Sequence, residues 1–263
     1  MTTSVESTRV SRNRVLNEVL FVVAGYLVYS QVRGLAGDRV FEAFINAYNL
    51  IDIERDLGIF KEATLQRWVL PNAMLVDFFN MIYFWLFFPL VIPSAIWLYL
   101  KRPSTYRLAR NAFLISGAIA VIFFLTLPTA PPRFLGQMGF IDTLNQSFTP
   151  TYSSIPGVNH YAALPSMHVG WTFLLAVVLC QAFKGWPGRY VFFAIPLLMF
   201  TATIVTGNHY FLDGVLGLLV AVLALRVALA MQQGGQERPA GSEGEPLIEL
   251  QPAAIQLEAP SSQ

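Results

Sequence analysis

The sequence has little charge and almost no cysteine. Asp, Glu, Lys and Arg make up 13% of its 263 residues, against about 25% in an average soluble domain. That shortage excludes a water-soluble globular enzyme as the default reading. A composition of 55% hydrophobic and 14% aromatic residues excludes a disordered or collagen-like chain. The formal net charge is only +1, so no basic field points to nucleic acid, and none is expected as a partner. Cys180 is the single cysteine, which excludes an intramolecular disulfide and a Cys-rich metal site. There is no internal repeat, and there are only three histidines, His160, His168 and His209.

Long apolar runs are what the chain has in abundance. A helix needs about 20 mostly apolar residues to cross a bilayer. Six stretches reach or approach that length: 15–32, 73–100, 108–128, 165–183, 190–205 and 210–231. The second is long enough to tilt or to begin at the interface, and the fifth is short. The expected fold is therefore all-α and polytopic, a six-transmembrane-helix bundle over 15–231. It is preceded by an arm, 1–14, and followed by a tail, 232–263, whose Gly, Pro, Glu, Gln and Ser content predicts disorder. Arg9, Arg12 and Arg14 precede the first run, and no small-x-small cleavage site follows it. That run reads as an uncleaved signal anchor.

Basic residues in short loops set the orientation. With six spans, the N-terminal arm, the 101–110 connection (Lys101, Arg102, Arg107, Arg110) and the 184–189 connection (Lys184, Arg189) share one side. The other side holds 33–72, with five basic and six acidic residues, and 129–164, with only Arg133 and Asp142. Both termini are expected in the cytoplasm of a multi-pass plasma-membrane protein, and the second side faces outward. Within it, 39–58 is not a span. Val40, Phe41, Phe44, Ile45, Tyr48 and Ile51 recur at helical spacing among Glu42, Asp52, Glu54 and Asp56. This predicts an extracytoplasmic amphipathic helix, a brace or lid over the bundle.

Ionisable groups beside a span are costly and tend to carry function. All three histidines fall on the outer side of this arrangement. His168 stands in Ala163-Leu164-Pro165-Ser166-Met167-His168, at the start of the fourth span. His209 stands in Asn208-His209-Tyr210-Phe211-Leu212-Asp213, between the fifth and sixth, and Arg133 lies just past the third. His209 and Asp213, four apart, would share a helix face. A carboxylate there takes one imidazole N–H and leaves the other nitrogen as a nucleophile. Ser166, at a helix start after Pro165, can donate to an anion beside the backbone N–H groups. Arg133 offers a planar fork for phosphate oxygens. Taken singly, each has a plainer reading as a cap, a loop residue or a headgroup anchor. A His-x-x-x-Asp pair can also chelate, but no dense carboxylate cluster accompanies it, and neither a metal nor another cofactor is expected.

Leu164-Pro165-Ser166-Met167-His168 followed by His209-Tyr210-Phe211-Leu212-Asp213 resembles the second and third signature motifs of the type-2 phosphatidic acid phosphatase superfamily, which includes the vanadium haloperoxidases. Pro128-Thr129-Ala130-Pro131-Pro132-Arg133 and Gly139-Phe140-Ile141-Asp142-Thr143 are similar to the branch of inositol phosphorylceramide synthases and their bacterial relatives. The resemblance implies a six-helix bundle with a metal-independent phosphohistidine site at its outer face. His209 would attack phosphorus, and Asp213 would orient it. His168 would protonate the leaving alkoxide, while Ser166 and Arg133 would hold the phosphoryl oxygens. The sequence departs from the broad family at Thr126 and Phe134, which replace a Lys and a Pro, and at Ala202-Thr203, which replace Ser-Arg. Two basic phosphate ligands are thus missing. Asn208, Tyr210, His160 and Tyr161 are candidate neutral substrate contacts. The implied partners are a lipid phosphate or phospholipid, a hydroxyl acceptor lipid and the bilayer. The rival reading is a non-catalytic carrier or flippase for anionic headgroups. Polar groups gathered at one face weigh against it, because transporters place them at mid-membrane.

Overall fold

The computed structural model describes residues 12–34, 39–147 and 160–234. Ten α-helices occur among them: α1 (Arg12–Gly34), α2 (Val40–Asp56), α3 (Glu62–Val69), α4 (Ala73–Trp85), α5 (Phe87–Lys101), α6 (Pro103–Thr126), α7 (Leu144–Ser147), α8 (Met167–Ala182), α9 (Ala194–Val205) and α10 (Phe211–Gly234). Among the described residues there is no strand, only an isolated parallel bridge between Thr129 and Ala162. The chain is an all-helical, polytopic membrane bundle. Leu20, Phe88, Ile92, Ile122, Leu197 and Leu223 point apolar side chains outward, as a surface facing lipid requires.

The helix starts follow from local chemistry. The Asn72 side chain accepts the Leu75 N–H at 3.2 Å and caps α4, and Pro103 opens α6 where its missing N–H costs nothing. Among the described residues, five stretches are long and apolar enough to cross a bilayer, counting 73–101 as one and 187–205 as another. The expected count of six is therefore not confirmed. The fourth expected span is the shortfall, since α8 has only 16 residues. Its position explains the length. Ten of its residues are buried against α5, α6, α9 and α10, so α8 is the central post of the bundle and presents little surface to lipid. Two other runs are less regular than expected. The second is interrupted at Leu86, between α4 and α5, and the fifth opens with a 3₁₀ turn over Pro187–Phe193. The sixth runs on through Gly234, past the expected end at 231. The arm before Arg12, most of the predicted tail and residues 148–159 lie outside the described residues.

The 39–58 segment is a helix, and only part of the apolar set that marks it faces inward: Ile51 is buried and Phe44 and Tyr48 pack against the core, whereas Val40, Phe41 and Ile45 are exposed. Ala43, Ala47, Leu50, Ile51 and Glu54 turn inward, while Phe41 is 79% exposed. The small residues let the backbone sit close. The Ala43 carbonyl accepts the Ala130 N–H at 3.0 Å, and the Asn46 amide donates to the Pro128 carbonyl at 2.8 Å. With α3, it forms a cap on a core of Ile51, Ala130, Leu135, Phe140 and Tyr210. Glu54, one of the acids expected on the solvent face, is fully buried. On the far side of the molecule, Arg110 ties α6 to α1 through two bonds to Glu18, at 2.7 and 2.9 Å.

Candidate active site

Three turns converge beneath the cap. Past α6, the chain makes the bridge between Thr129 and Ala162. Thr129 N–H donates to the Tyr161 carbonyl at 2.7 Å, and Ala163 N–H to the Thr129 carbonyl at 3.2 Å. This fastens the segment that carries Arg133 to the one that carries Ser166. The turn before α10 joins both. Gly207 has φ of 69°, in the left-handed region a side chain avoids, and its carbonyl accepts the Arg133 N–H at 2.7 Å. A side-chain carbon at Gly207 would also sit 3.0 Å from the Gln66 amide.

His209 lies two residues before the first residue of α10 rather than within it, yet the pairing with Asp213 forms. Its Nδ1 is 3.2 Å from Asp213 Oδ2 and 2.9 Å from the Ala163 carbonyl oxygen. A carbonyl can only accept, so Nδ1 carries a proton, and in the neutral ring the lone pair is then on Nε2. Asp213 Oδ2 also accepts the Tyr210 N–H at 3.0 Å, which closes the first turn of α10 around the imidazole. Asp213 is 0% exposed and His209 only 5%, so this orientation is enforced by packing as well as bonding.

Ser166 caps α8 from a position that its hydroxyl does not use. Its side chain makes no capping bond, and Oγ is buried without a hydrogen-bond partner. Its N–H donates to the Asp213 carbonyl at 2.9 Å. Close approach of α8 to α10 makes that bond possible. A methyl at Gly217 would stand 2.1 Å from the Ser166 carbonyl oxygen, and one at Gly170 would stand 2.6 Å from the Gly217 oxygen. Two turns into the bundle, small residues thus set the height of Ser166. His168, on the first turn of α8, has its ring centroid 5.9 Å from that of His209. Tyr83 of α4 packs on His168 with centroids 4.4 Å apart and planes inclined by 31°.

Arg133 is the cation of this group and is 7% exposed. Its guanidinium donates to Asn208 Oδ1, its Nε is 3.8 Å from Asp142 Oδ2, and it lies over the Phe134 ring. Asn208 is held in turn by the Thr206 hydroxyl, to which its amide donates at 2.7 Å. The Asn208 amide is thus engaged in aiming Arg133. The phenol of Tyr210 faces away from the histidines and donates to the Ala130 carbonyl at 3.0 Å, inside the cap core. Tyr161 and His160 lie against Phe134, with centroids 5.8 and 6.4 Å from its ring. Thr203, at one vacant basic position, is buried and donates to the Phe200 carbonyl. Thr126, at the other, is exposed and donates to the Ile122 carbonyl. Among the described residues no group of three or more His, Cys, Asp and Glu could hold a metal ion.

Sequence reasoning missed several contributors. Tyr83 gave no signal apart from the apolar run around it. Asn80 and Thr143 bond each other twice, and Gln66 makes a two-way bond with the Ile141 backbone at 2.9 Å each way. Together these steady the loop bearing Asp142. Glu62 and Gln66, four apart on α3, are fully buried, although nothing in the sequence set them apart from the solvated residues beside them.

The chain is 25% identical over 153 residues to the inositol phosphorylceramide synthase catalytic subunit aur1 of Schizosaccharomyces pombe, covering 51% of this chain and 35% of that one. It is 29% identical over 161 residues to an uncharacterized protein of Methanocaldococcus jannaschii, covering 57% of this chain and 59% of that one. The matches thus span less than two thirds of either relative. No solved structure matches the chain. Residues 48–227, which hold all three converging turns and most of the bundle, match the PAP2 superfamily, and the chain belongs to that superfamily.

Proposed function

We propose that this protein is a membrane phosphotransferase that breaks a lipid phosphodiester and passes the phosphoryl headgroup to a lipid hydroxyl. The observation that carries the reading is the hydrogen bonding of His209 Nδ1. Nδ1–H is held by Asp213 and the Ala163 carbonyl, so in the neutral ring Nε2 carries the lone pair that would attack phosphorus, with Ser166 Oγ and Arg133 as the groups that would hold its oxygens. In the first step the Nε2–P bond forms and the P–O bond to the leaving lipid alkoxide breaks, with His168 supplying the proton. In the second, His168 takes the proton of an acceptor hydroxyl, whose oxygen attacks phosphorus and releases His209. One imidazole must start neutral and the other protonated, so activity is bounded on both sides of neutral pH. The basic loops at the opposite end support an extracytoplasmic site with both termini in the cytoplasm.

Charge selects between hydrolysis of a monoester and transfer from a diester. A phosphomonoester arrives with close to two negative charges, a diester with one. Two basic positions of the broad family are Thr126 and Thr203 here, and Arg133 is paired with Asp142. One partly neutralised guanidinium suits the monoanion. An inositol-phosphate-type headgroup fits this balance, as does the similarity to the synthase subunit.

The test uses detergent-purified protein and a panel of lipid phosphomonoesters and phosphodiesters, with and without diacylglycerol or ceramide. The expected result is a new lipid formed only from a diester plus an acceptor, undiminished by EDTA. Phosphate release from monoesters that exceeds headgroup exchange would make the protein a phosphatase. Headgroup binding with no product from any substrate would make it a carrier.

A further inference from the structure

The cap contains two carboxyl groups that the chemistry above does not use. Glu54 of α2 and Glu62 of α3 are both 0% exposed. Each turns one oxygen to a backbone N–H in the first turn of α10. Glu62 Oε1 accepts from Phe211 at 3.0 Å, and Glu54 Oε1 accepts from Leu212 at 2.8 Å. The preceding N–H, that of Tyr210, goes to Asp213. The three N–H groups that follow His209 are therefore each held by a carboxyl oxygen, and two of the three come from the cap. Helix starts leave such N–H groups unpaired unless a side chain meets them. Here the side chains come from elements more than 140 residues away in sequence.

The other oxygens, Glu54 Oε2 and Glu62 Oε2, are buried and meet no N–H or O–H donor. The two carboxyl groups are nevertheless neighbours, because they accept from consecutive backbone N–H groups, those of Phe211 and Leu212. Two carboxylates cannot bond one another, whereas a carboxyl and a carboxylate can, through one proton. Glu62, Asp213 and the Tyr210 phenol are the titratable groups that face Glu54; the two carboxyl groups oppose a second negative charge there, and the phenol is neutral. Among the described residues neither glutamate forms an ion pair with Lys, Arg or His. Burial, reinforced by the bond to Glu62, raises the pKa of Glu54 to about 9, against the opposing pull of the Leu212 N–H.

We propose that Glu54 and Glu62 share one proton and act as positioning residues for His209, clamping the first turn of α10 through Phe211 and Leu212. The cap is then a jig for the nucleophile rather than a lid. One negative charge on the pair suits the positive end of α10. A second would set like charges against each other in a closed space and force cap and helix apart. The kinetic part of this inference rests on His209 as nucleophile, and the shared proton does not.

Three measurements on the full-length protein in detergent test it. Infrared difference spectra between neutral pH and a pH well above 9 should show loss of a protonated-carboxyl band in the wild type. Neither Glu54→Gln nor Glu62→Gln should show that loss. The native pair keeps a proton that the unfolded chain sheds near 4.5. Wild-type stability therefore falls as pH rises from that value to about 9, and Glu54→Gln flattens that part of the slope. Glu54→Leu keeps the volume but removes the acceptor. It should lower kcat per folded molecule about 10- to 100-fold with KM within about twofold, the scale of a misplaced reacting group. Glu54→Gln, which restores the acceptor, should recover most of the loss. A carboxyl band that titrates unchanged in both Gln variants overturns the shared proton, whether or not the Leu variant folds. Wild-type kcat in folded Glu54→Leu overturns the positioning role. A wild type that turns over no lipid overturns the function proposed above, and the shared proton is then decided by the infrared band alone.

Discussion

Replacing His209 with Ala is expected to lower turnover by at least about 10⁴-fold, because the proposed nucleophile is removed. The fold should survive. The ring is held by two bonds on one nitrogen, and its loss leaves the Ala163 carbonyl and one Asp213 oxygen short of a donor. That costs about 1–3 kcal/mol each where no water enters. The Asp213 oxygen retains the Tyr210 N–H, so the first turn of α10 stays closed. Kinetics on the lipid panel beside a thermal unfolding curve separate the two effects. Activity within tenfold of the wild type would remove His209 from the chemistry.

Arg133→Ala is the second large effect, expected at about 10³-fold and mainly in kcat. Charge that builds on phosphoryl oxygens is stabilised more in the transition state than in the bound substrate. The wild-type guanidinium is aimed by three neighbours: Asn208 on one nitrogen, Asp142 toward Nε, and the Phe134 ring beneath it. Those contacts use a planar fork, so Arg133→Lys should recover little, despite keeping the charge. The buried position makes the loss larger than at a surface anchor, where one cation is worth about 1 kcal/mol. Steady-state kinetics on a diester substrate check this. A Lys variant close to wild type would mean that Arg133 serves as a point charge and that its geometry is immaterial.

The parts of the fold that were legible in the sequence obey simple periodicities. Apolar runs of bilayer length became the helices of the bundle, and 39–58 became a helix over its end. The sequence signal failed where a neighbour decided the outcome. Nothing in the composition of 165–183 shows that α8 is central and therefore exempt from bilayer length. The inward face of α2 combines Ala43 and Ala47 with Leu50 and Ile51, and it leaves Phe41 outside while the backbone meets Ala130. Spacing made His209 and Asp213 neighbours, and they do bond, although His209 lies before the helix. Tyr210 and Asn208, proposed from the same motif as substrate contacts, have their polar groups engaged by Ala130 and by Arg133 with Thr206. Gly217 looks like any glycine of an apolar helix until Ser166 is found against it. Glu54 and Glu62 could not be distinguished from the solvated acids beside them, because only the long-range fold puts α10 above their carboxyl groups.

The central claim is that lipid phosphorus becomes bonded to His209. It is tested most directly by quenching the purified protein with denaturant during turnover of a headgroup-labelled phosphodiester and mapping the label by mass spectrometry. The account predicts an acid-labile adduct on His209 that is absent from the His209→Ala variant and lost when acceptor lipid is supplied before the quench. Robust turnover with no labelled protein, or with the label on another residue, would contradict it.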